Sequence, residues 1–155
     1  MARPRRPVKP FIGWREWLEL PELGPDPVKA KIDTGARTSA LHAFGLEIED
    51  RRGVPHAHFE LHPMQRSSQR SIEVARPIEG FRPVRSSNGR TEQRPVIVTT
   101  ARLGDVEWPI EITLTSRDEM GFRMLLGRAA VRDRFVVDPG RSYLLSKRTR
   151  DREQM

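Results

Sequence analysis

The sequence predicts an all-β domain, and three features of its 155 residues carry that prediction. Short runs rich in β-branched and aromatic residues recur at intervals of roughly 8 to 12 positions, separated by turn residues, as in small sandwiches and barrels. Residues Val28 to Ile32 alternate apolar and basic side chains, which is the period of a half-buried strand. Helix is predicted for one short segment only, Arg128 to Arg134.

The chain divides into one domain and two tails. Residues 1–10 are rich in proline and arginine and residues 147–155 are almost wholly polar, so burial cannot offset their ordering entropy. We therefore expect flexible tails at both ends and one folded domain over residues 11–146. The predicted strands are Ile12–Leu20, Val28–Ile32, Leu46–Glu49, His58–Leu61, Ile72–Ala75, Pro95–Thr100 and Trp108–Thr115.

The charge balance favours anionic partners. Of 28 basic residues four are lysines and the rest arginines, and the formal net charge is +7. Arginine binds both carboxylates and phosphates bidentately, so composition does not distinguish an acidic peptide from a nucleic acid. The basic residues are dispersed and no aromatic stacking platform accompanies them, so we expect nucleic acid to bind only non-specifically.

Several classes of protein are excluded by what the sequence lacks. It has no cysteine, which excludes disulfides, thiolate zinc ligands and cysteine nucleophiles. No apolar run is long enough to cross a bilayer, so we expect a cytoplasmic protein without a membrane partner. A phosphate-binding Gly-x-x-x-x-Gly-Lys loop and a His-Glu-x-x-His helix are both missing, and we predict no cofactor.

A basic segment from Glu79 to Arg94 predicts a projecting β-hairpin. Its centre contains Asn-Gly, a strong signal for a tight hairpin turn. Mobile hairpins often cover active sites. We therefore predict a flap that contacts substrate through Arg85, Ser87, Asn88, Gly89 and Arg90.

Two elements that are distant in the chain carry the candidate chemistry. The first, Asp33-Thr34-Gly35-Ala36, follows the alternating strand, and alone it is compatible with an ordinary turn. The second, Leu125-Leu126-Gly127-Arg128, ends an apolar run and opens the predicted helix. The two elements together indicate a particular kind of active site more specifically than either element alone.

This combination resembles the retropepsin family of aspartic peptidases. More narrowly, it resembles the bacterial proteins labelled ATP-dependent zinc proteases, which are often encoded near RimK-type ATP-grasp glutamate ligases. The resemblance covers Ile12 to Pro139 and implies a retropepsin-like closed β-barrel with a flap hairpin and one short helix. It implies that Asp33, Thr34 and Gly35 are catalytic and that the site is supported by Leu125, Leu126, Gly127 and Arg128. We also expect Ala36 and Arg37, which follow directly, to contact substrate.

The resemblance also implies a homodimer, because the chain contains no second Asp-Thr-Gly or Asp-Ser-Gly. Two carboxylates about 3 Å apart cannot both ionise, so the pair shares a proton and acts as acid and base. We expect an aspartic endopeptidase in which Asp33 from each subunit activates water. The Thr34 hydroxyl is expected to bond the loop of the partner subunit.

Arg37 departs from the retropepsin pattern, in which this position is commonly an aspartate. In that pattern the aspartate pairs with the arginine of the Gly-Arg element, which is Gly127-Arg128 in this sequence. Arg37 is then free to hold a substrate carboxylate, which favours an acidic or glutamate-rich peptide or protein tail. The alternative is a set of solvated surface arginines. The remaining candidate partners of Arg128 are Asp133, Asp118 and Glu119.

Two further alternatives remain open. His56, His58, Glu60 and His62 share one face of a predicted strand, which allows a metal site and a zinc-dependent hydrolase. A solvated polar face is the ordinary use of that pattern, and we assign no metal. The other alternative is a non-catalytic module that binds acidic tails or RNA on the same fold.

Overall fold

The computed structural model describes residues 8–62, 71–85, 88–116 and 121–146. Most of both predicted tails, residues 1–7 and 147–155, therefore lies outside the described residues. The described chain forms twelve strands and one short helix, α1 (Arg128–Val131), which confirms the all-β prediction. The strands are β1 (Phe11–Gly13), β2 (Arg15–Leu18), β3 (Val28–Asp33), β4 (Ser39–His42), β5 (Phe44–Arg51), β6 (Val54–Leu61), β7 (Ile72–Pro77), β8 (Gly80–Arg85), β9 (Thr91–Leu103), β10 (Val106–Thr115), β11 (Met124–Gly127) and β12 (Val136–Asp138).

Seven strands form the main sheet in the order β2-β3-β11-β4-β10-β9-β8. Strands β5, β6 and β7 form a second sheet, and β1 pairs with β12. The described strands do not close into the predicted barrel, because β2 and β8 remain the two edges of the main sheet. One isolated bridge, between Glu19 and Arg102, links the end of β2 to β9. No helix in the described ranges is long and apolar enough to span a membrane.

Most predicted strands are longer in the structure, and some elements differ in more than length. The run Ile12–Leu20 forms two strands, because β1 pairs with β12 whereas β2 pairs with β3. Strand β4 was not predicted, since all four of its residues are buried and leave no alternating pattern. The predicted helix Arg128–Arg134 ends at Val131, and Asp133 adopts a φ of +69° that a continuing helix cannot accommodate.

Strand β3 fits the sheet as its alternation predicts. Val28, Ala30 and Ile32 are buried, whereas the two lysines between them are not. Strand β11 runs parallel to β3 and antiparallel to β4. It therefore lies between two strands that are consecutive in sequence, and the β3–β4 loop (residues 34–38) has to cross the end of β11.

Gly127 makes this crossing possible. In the β11–β3 ladder Gly127 lies opposite Asp33. A Cβ atom at position 127 would lie 2.5 Å from both the carbonyl carbon and the carbonyl oxygen of Thr38, and 3.0 Å from the carbonyl oxygen of Arg37. Backbone atoms cannot swing away as a flexible side chain does, so only glycine fits here.

A buried carboxylate fastens the end of the described chain to the first strands. Glu16 has 0% exposed surface. Its carboxylate accepts hydrogen bonds of 2.7 to 3.1 Å from the amides of Gly13, Leu144, Leu145 and Ser146 and from the Ser146 hydroxyl. Hydrogen bonds to an ionised acceptor are stronger than neutral ones, so these five donors stabilise the buried charge.

We expect Glu16→Gln to lower the free energy of unfolding by about 3 kcal/mol, because an amide nitrogen would then face backbone N–H donors. Urea denaturation measures the change. Glu107→Gln removes an exposed carboxylate on β10 and should stay within about 0.5 kcal/mol of wild type. Indistinguishable unfolding midpoints for the two variants would contradict the role of Glu16.

We expect Gly127→Ala to lower the free energy of unfolding by about 2 kcal/mol, because the new methyl group overlaps the backbone of the β3–β4 loop. Gly80→Ala is the matched control, since a Cβ atom there meets nothing within 4 Å. The same denaturation experiment compares the two. A Gly127→Ala protein as stable as the Gly80→Ala protein would show that the loop does not pass this close to β11.

Candidate active site

Asp33 lies at the end of β3 and is partly buried. Its Oδ1 accepts a hydrogen bond of 3.1 Å from the amide of Gly35. Its carbonyl oxygen accepts a 3.3 Å bond from the amide of Ala36. Across the described ranges Asp33 forms no ion pair and no hydrogen bond through Oδ2, so one carboxylate oxygen is available to a water or to another carboxyl group.

The helix α1 holds the β3–β4 loop from the other side. The amides of Arg128 and Ala129 donate to the carbonyl oxygens of Ala36 and Arg37, at 2.7 and 3.0 Å. The Arg128 guanidinium donates through Nη1 to the carbonyl oxygen of Thr34, at 3.0 Å. These three hydrogen bonds fix the loop relative to the Gly-Arg element.

Arg128 therefore bonds the loop backbone rather than a carboxylate. It forms no ion pair with Asp133, one of the partners considered from the sequence. The other two, Asp118 and Glu119, lie outside the described residues. Arg128 thus fixes the position of the loop, although the residue as a whole is exposed.

The two leucines before the Gly-Arg element take different positions. Leu126 has 0% exposed surface and pairs with Ile32, directly before Asp33. Leu125 is partly exposed and pairs with Lys31. The hydrophobic core thus reaches up to the residue that precedes the candidate catalytic carboxylate.

A basic cleft of about 470 Å³ opens beside the β3–β4 loop. It is lined by Arg37, Arg128, Ala129, Arg132 and Asp133. Arg132 Nε lies 3.7 Å from Asp133 Oδ2, and both side chains are largely exposed. Three guanidinium groups and one carboxylate leave the cleft positively charged, which suits a carboxylate ligand.

Strands β8 and β9 form the predicted hairpin, from Gly80 opposite Val96 to Arg85 opposite Thr91. Gly89 has a φ of +84°, as a tight turn requires, and the amide of Arg90 donates to Asn88 Oδ1 at 3.1 Å. Ser87 lies outside the described residues. The basic cleft is not lined by Arg85, Asn88, Gly89 or Arg90.

The histidines singled out from the sequence do not gather into one metal site. His62 Nε2 lies 3.2 Å from Glu60 Oε2, and His56 Nδ1 bonds a backbone carbonyl. Among the described residues, potential ligand atoms lie within 4.8 Å of one another at Glu47, Glu49 and His58. These residues lie on β5 and β6 in the three-stranded sheet, whereas the β3–β4 loop joins two strands of the main sheet.

Two residues near the loop were not selected from the sequence. Ser39 Oγ accepts a 3.0 Å hydrogen bond from the amide of Gly127, and its carbonyl oxygen accepts a 2.8 Å bond from the Thr113 hydroxyl. No sequence pattern identifies the buried Ser39 as a residue of the site. Arg132 could have been identified, because it follows Arg128 by four residues, a spacing that puts both on one face of a helix.

Known proteins resemble this chain over most of its length. A family model described as RimB-like, retropepsin-like aspartic endopeptidase RimB, matches residues 11–148. A relative from Shewanella pealeana, named probable alpha-L-glutamate ligase, is 43% identical over 138 residues, which is 89% of this chain and 30% of that protein. A relative of the same name from Parasynechococcus marenigrum is 45% identical over 145 residues, covering 92% and 31%. The chain thus spans less than a third of the length of these relatives.

A solved structure has the same fold. It is a Legionella pneumophila protein of unknown function, with a TM-score of 0.71 and 25% identity, covering 89% of this chain and 99% of that one. The family match confirms the resemblance seen in the Asp-Thr-Gly-Ala and Leu-Leu-Gly-Arg elements. This chain belongs to the RimB-like family of retropepsin-like aspartic endopeptidases.

Proposed function

We propose that this chain is an aspartic endopeptidase that acts as a homodimer, with one Asp33 from each subunit in the active site. The observation that carries the proposal is the available Asp33 carboxylate, which lies at the end of β3 directly before a loop that three hydrogen bonds from α1 hold in place. The family match over residues 11–148 supports the same reaction class.

In the proposed dimer the two carboxyl groups share one proton, because two ionised carboxylates at close range repel each other. The ionised member removes a proton from water as the water oxygen attacks the peptide carbonyl carbon. The protonated member hydrogen-bonds the carbonyl oxygen and stabilises its developing negative charge. A proton then passes to the amine nitrogen as the carbon–nitrogen bond breaks.

A second subunit is proposed because one chain offers only half of this pair. Asp33 makes no contact with another carboxyl group within the described ranges, and the sequence holds one Asp-Thr-Gly. A two-fold axis beside Asp33 would bring the two loops together. Thr34, which is exposed on the loop, is then proposed to bond the opposite loop and keep the two carboxyl groups in plane.

The proposed substrate is an acidic peptide, and a glutamate-rich tail in particular. The arginines of the basic cleft lie next to the loop that follows Asp33. Arg37 and Arg132 can each bind a carboxylate through two parallel N–H donors. The relatives are named as glutamate ligases, which agrees with a substrate made of glutamate. The β8–β9 hairpin, with Arg85, Asn88, Gly89 and Arg90, is proposed to close over the bound peptide.

A non-catalytic acidic-tail binder is the competing function, since a basic cleft alone suffices for binding. The two functions differ in the role of Asp33. A peptidase needs the carboxyl group for turnover, whereas a binder of acidic chains gains nothing from a negative charge at that position.

We expect Asp33→Asn to reduce cleavage of a glutamate-rich peptide by roughly 10³-fold, because the amide cannot accept a proton from water. Mass spectrometry of glutamate-rich, neutral and lysine-rich peptides, incubated over a range of pH, measures products. Only the glutamate-rich peptide should be cleaved efficiently by wild type.

Asp105→Asn, which changes an exposed carboxylate in the β9–β10 turn, is the control and should cleave like wild type. Cleavage that survives in the Asp33→Asn protein would refute the catalytic assignment. If wild type binds the acidic peptide without any turnover, the molecule is a binding module.

A further inference from the structure

A second cavity, of about 250 Å³, lies at the far end of the β3–β4 loop. Its walls are formed by the end of that loop, the helix α1, the base of the β8–β9 hairpin and strand β10. It shares Ala129 with the basic cleft but none of the cleft's arginines. Its lining includes Thr38, Arg82, Trp108, Glu111 and Arg134.

The floor of this cavity is apolar and its polar atoms are already bonded. Trp108 and Ile110 are 3% and 4% exposed. The Trp108 Nε1–H donates to the carbonyl oxygen of Ala130 at 3.0 Å, and the Thr113 hydroxyl donates to the carbonyl oxygen of Ser39 at 2.8 Å. The floor therefore offers an apolar surface rather than free hydrogen-bonding groups.

The rim of the cavity carries the charge. Arg82 Nη2 lies 2.6 Å from Glu111 Oε2, and both side chains are exposed. The Arg134 guanidinium lies 6.0 Å from the centre of the Trp108 ring and has no carboxylate within ion-pair distance among the described residues. An anion entering the cavity can therefore bind Arg134 and compete with Glu111 for Arg82.

We propose that this cavity is a remote subsite that binds an acidic side chain of the substrate, several residues from the bond that is cleaved. The inference rests on the proposed function. The cavity of about 250 Å³ is smaller than the roughly 300 to 1,000 Å³ of pockets for cofactors and drug-sized ligands, and it has room for a glutamate side chain. The methylene groups of a glutamate pack on Trp108, and its carboxylate binds Arg134.

The position of the cavity sets the reach that a substrate needs. Thr38 follows Asp33 by five residues, so it lies no more than roughly 17 Å from Asp33. About five residues of extended substrate are therefore enough to reach from the catalytic position to the cavity. An eight-residue peptide can occupy both positions, and the proposal places the subsite beyond the reach of a three-residue peptide, so that long acidic chains are favoured.

The test compares α-linked glutamate peptides of three and eight residues. We expect Arg134→Gln to lower kcat/KM for the long peptide about tenfold, which is the loss of one charge-assisted hydrogen bond. Its effect on the short peptide should not exceed that of the control Arg51→Gln. We expect Glu111→Gln to raise kcat/KM for the long peptide, because Arg82 loses its competing carboxylate.

The matched controls are Arg51→Gln and Glu49→Gln. These residues form an exposed ion pair of 3.4 Å on the three-stranded sheet, so each variant changes the net charge as its counterpart does. If the Arg134 and Arg51 variants lose the same activity, or if Arg134→Gln affects short and long peptides equally, the subsite is refuted.

Binding to Asp33→Asn protein separates this inference from the proposed function. Calorimetry on that background should show about tenfold weaker binding of the long peptide when Arg134→Gln is added. Unchanged affinity would overturn the subsite even if wild type is a peptidase. Wild type that cleaves neither peptide would overturn the peptidase proposal, while the affinities would still decide whether the cavity binds acidic side chains.

Discussion

The crossing of the β3–β4 loop over the end of β11 is the constraint on which the rest of the structure depends. Since β11 lies between β3 and β4, the loop can pass only where residue 127 lacks a side chain. The first amides of α1 and the Arg128 guanidinium then bond the loop carbonyls. The position of the loop that follows Asp33 thus depends on hydrogen bonds from a segment far away in sequence.

Positive charge is concentrated beside this loop. Arg37 lines the basic cleft, and the next residue, Thr38, lines the cavity that holds Arg134. An extended acidic chain is attracted to the whole region by the net charge of +7, whereas individual arginines select its register. The two regions adjoin at Ala129, so one extended acidic chain can contact both.

Much of this arrangement could be predicted from local patterns. Alternation identified β3, Asn-Gly identified the hairpin, and the Gly-Arg element identified the partner of the Asp-Thr-Gly loop. Strand β4 was missed because it is buried on both faces, and the break at Trp14 was missed because a change of pairing partner leaves no trace in hydrophobicity. The cavity was also beyond prediction, since Arg82, Trp108 and Arg134 meet only through tertiary structure.

The central claim is that a complete site requires Asp33 from two subunits. Subunit mixing tests it most directly: wild type is equilibrated with a ninefold excess of Asp33→Asn protein, and activity per wild-type chain is measured. Random exchange leaves only about a tenth of wild-type subunits with a wild-type partner, so activity per wild-type chain should fall to about a tenth. Unchanged activity per wild-type chain, with exchange demonstrated by differently tagged subunits, would contradict the claim.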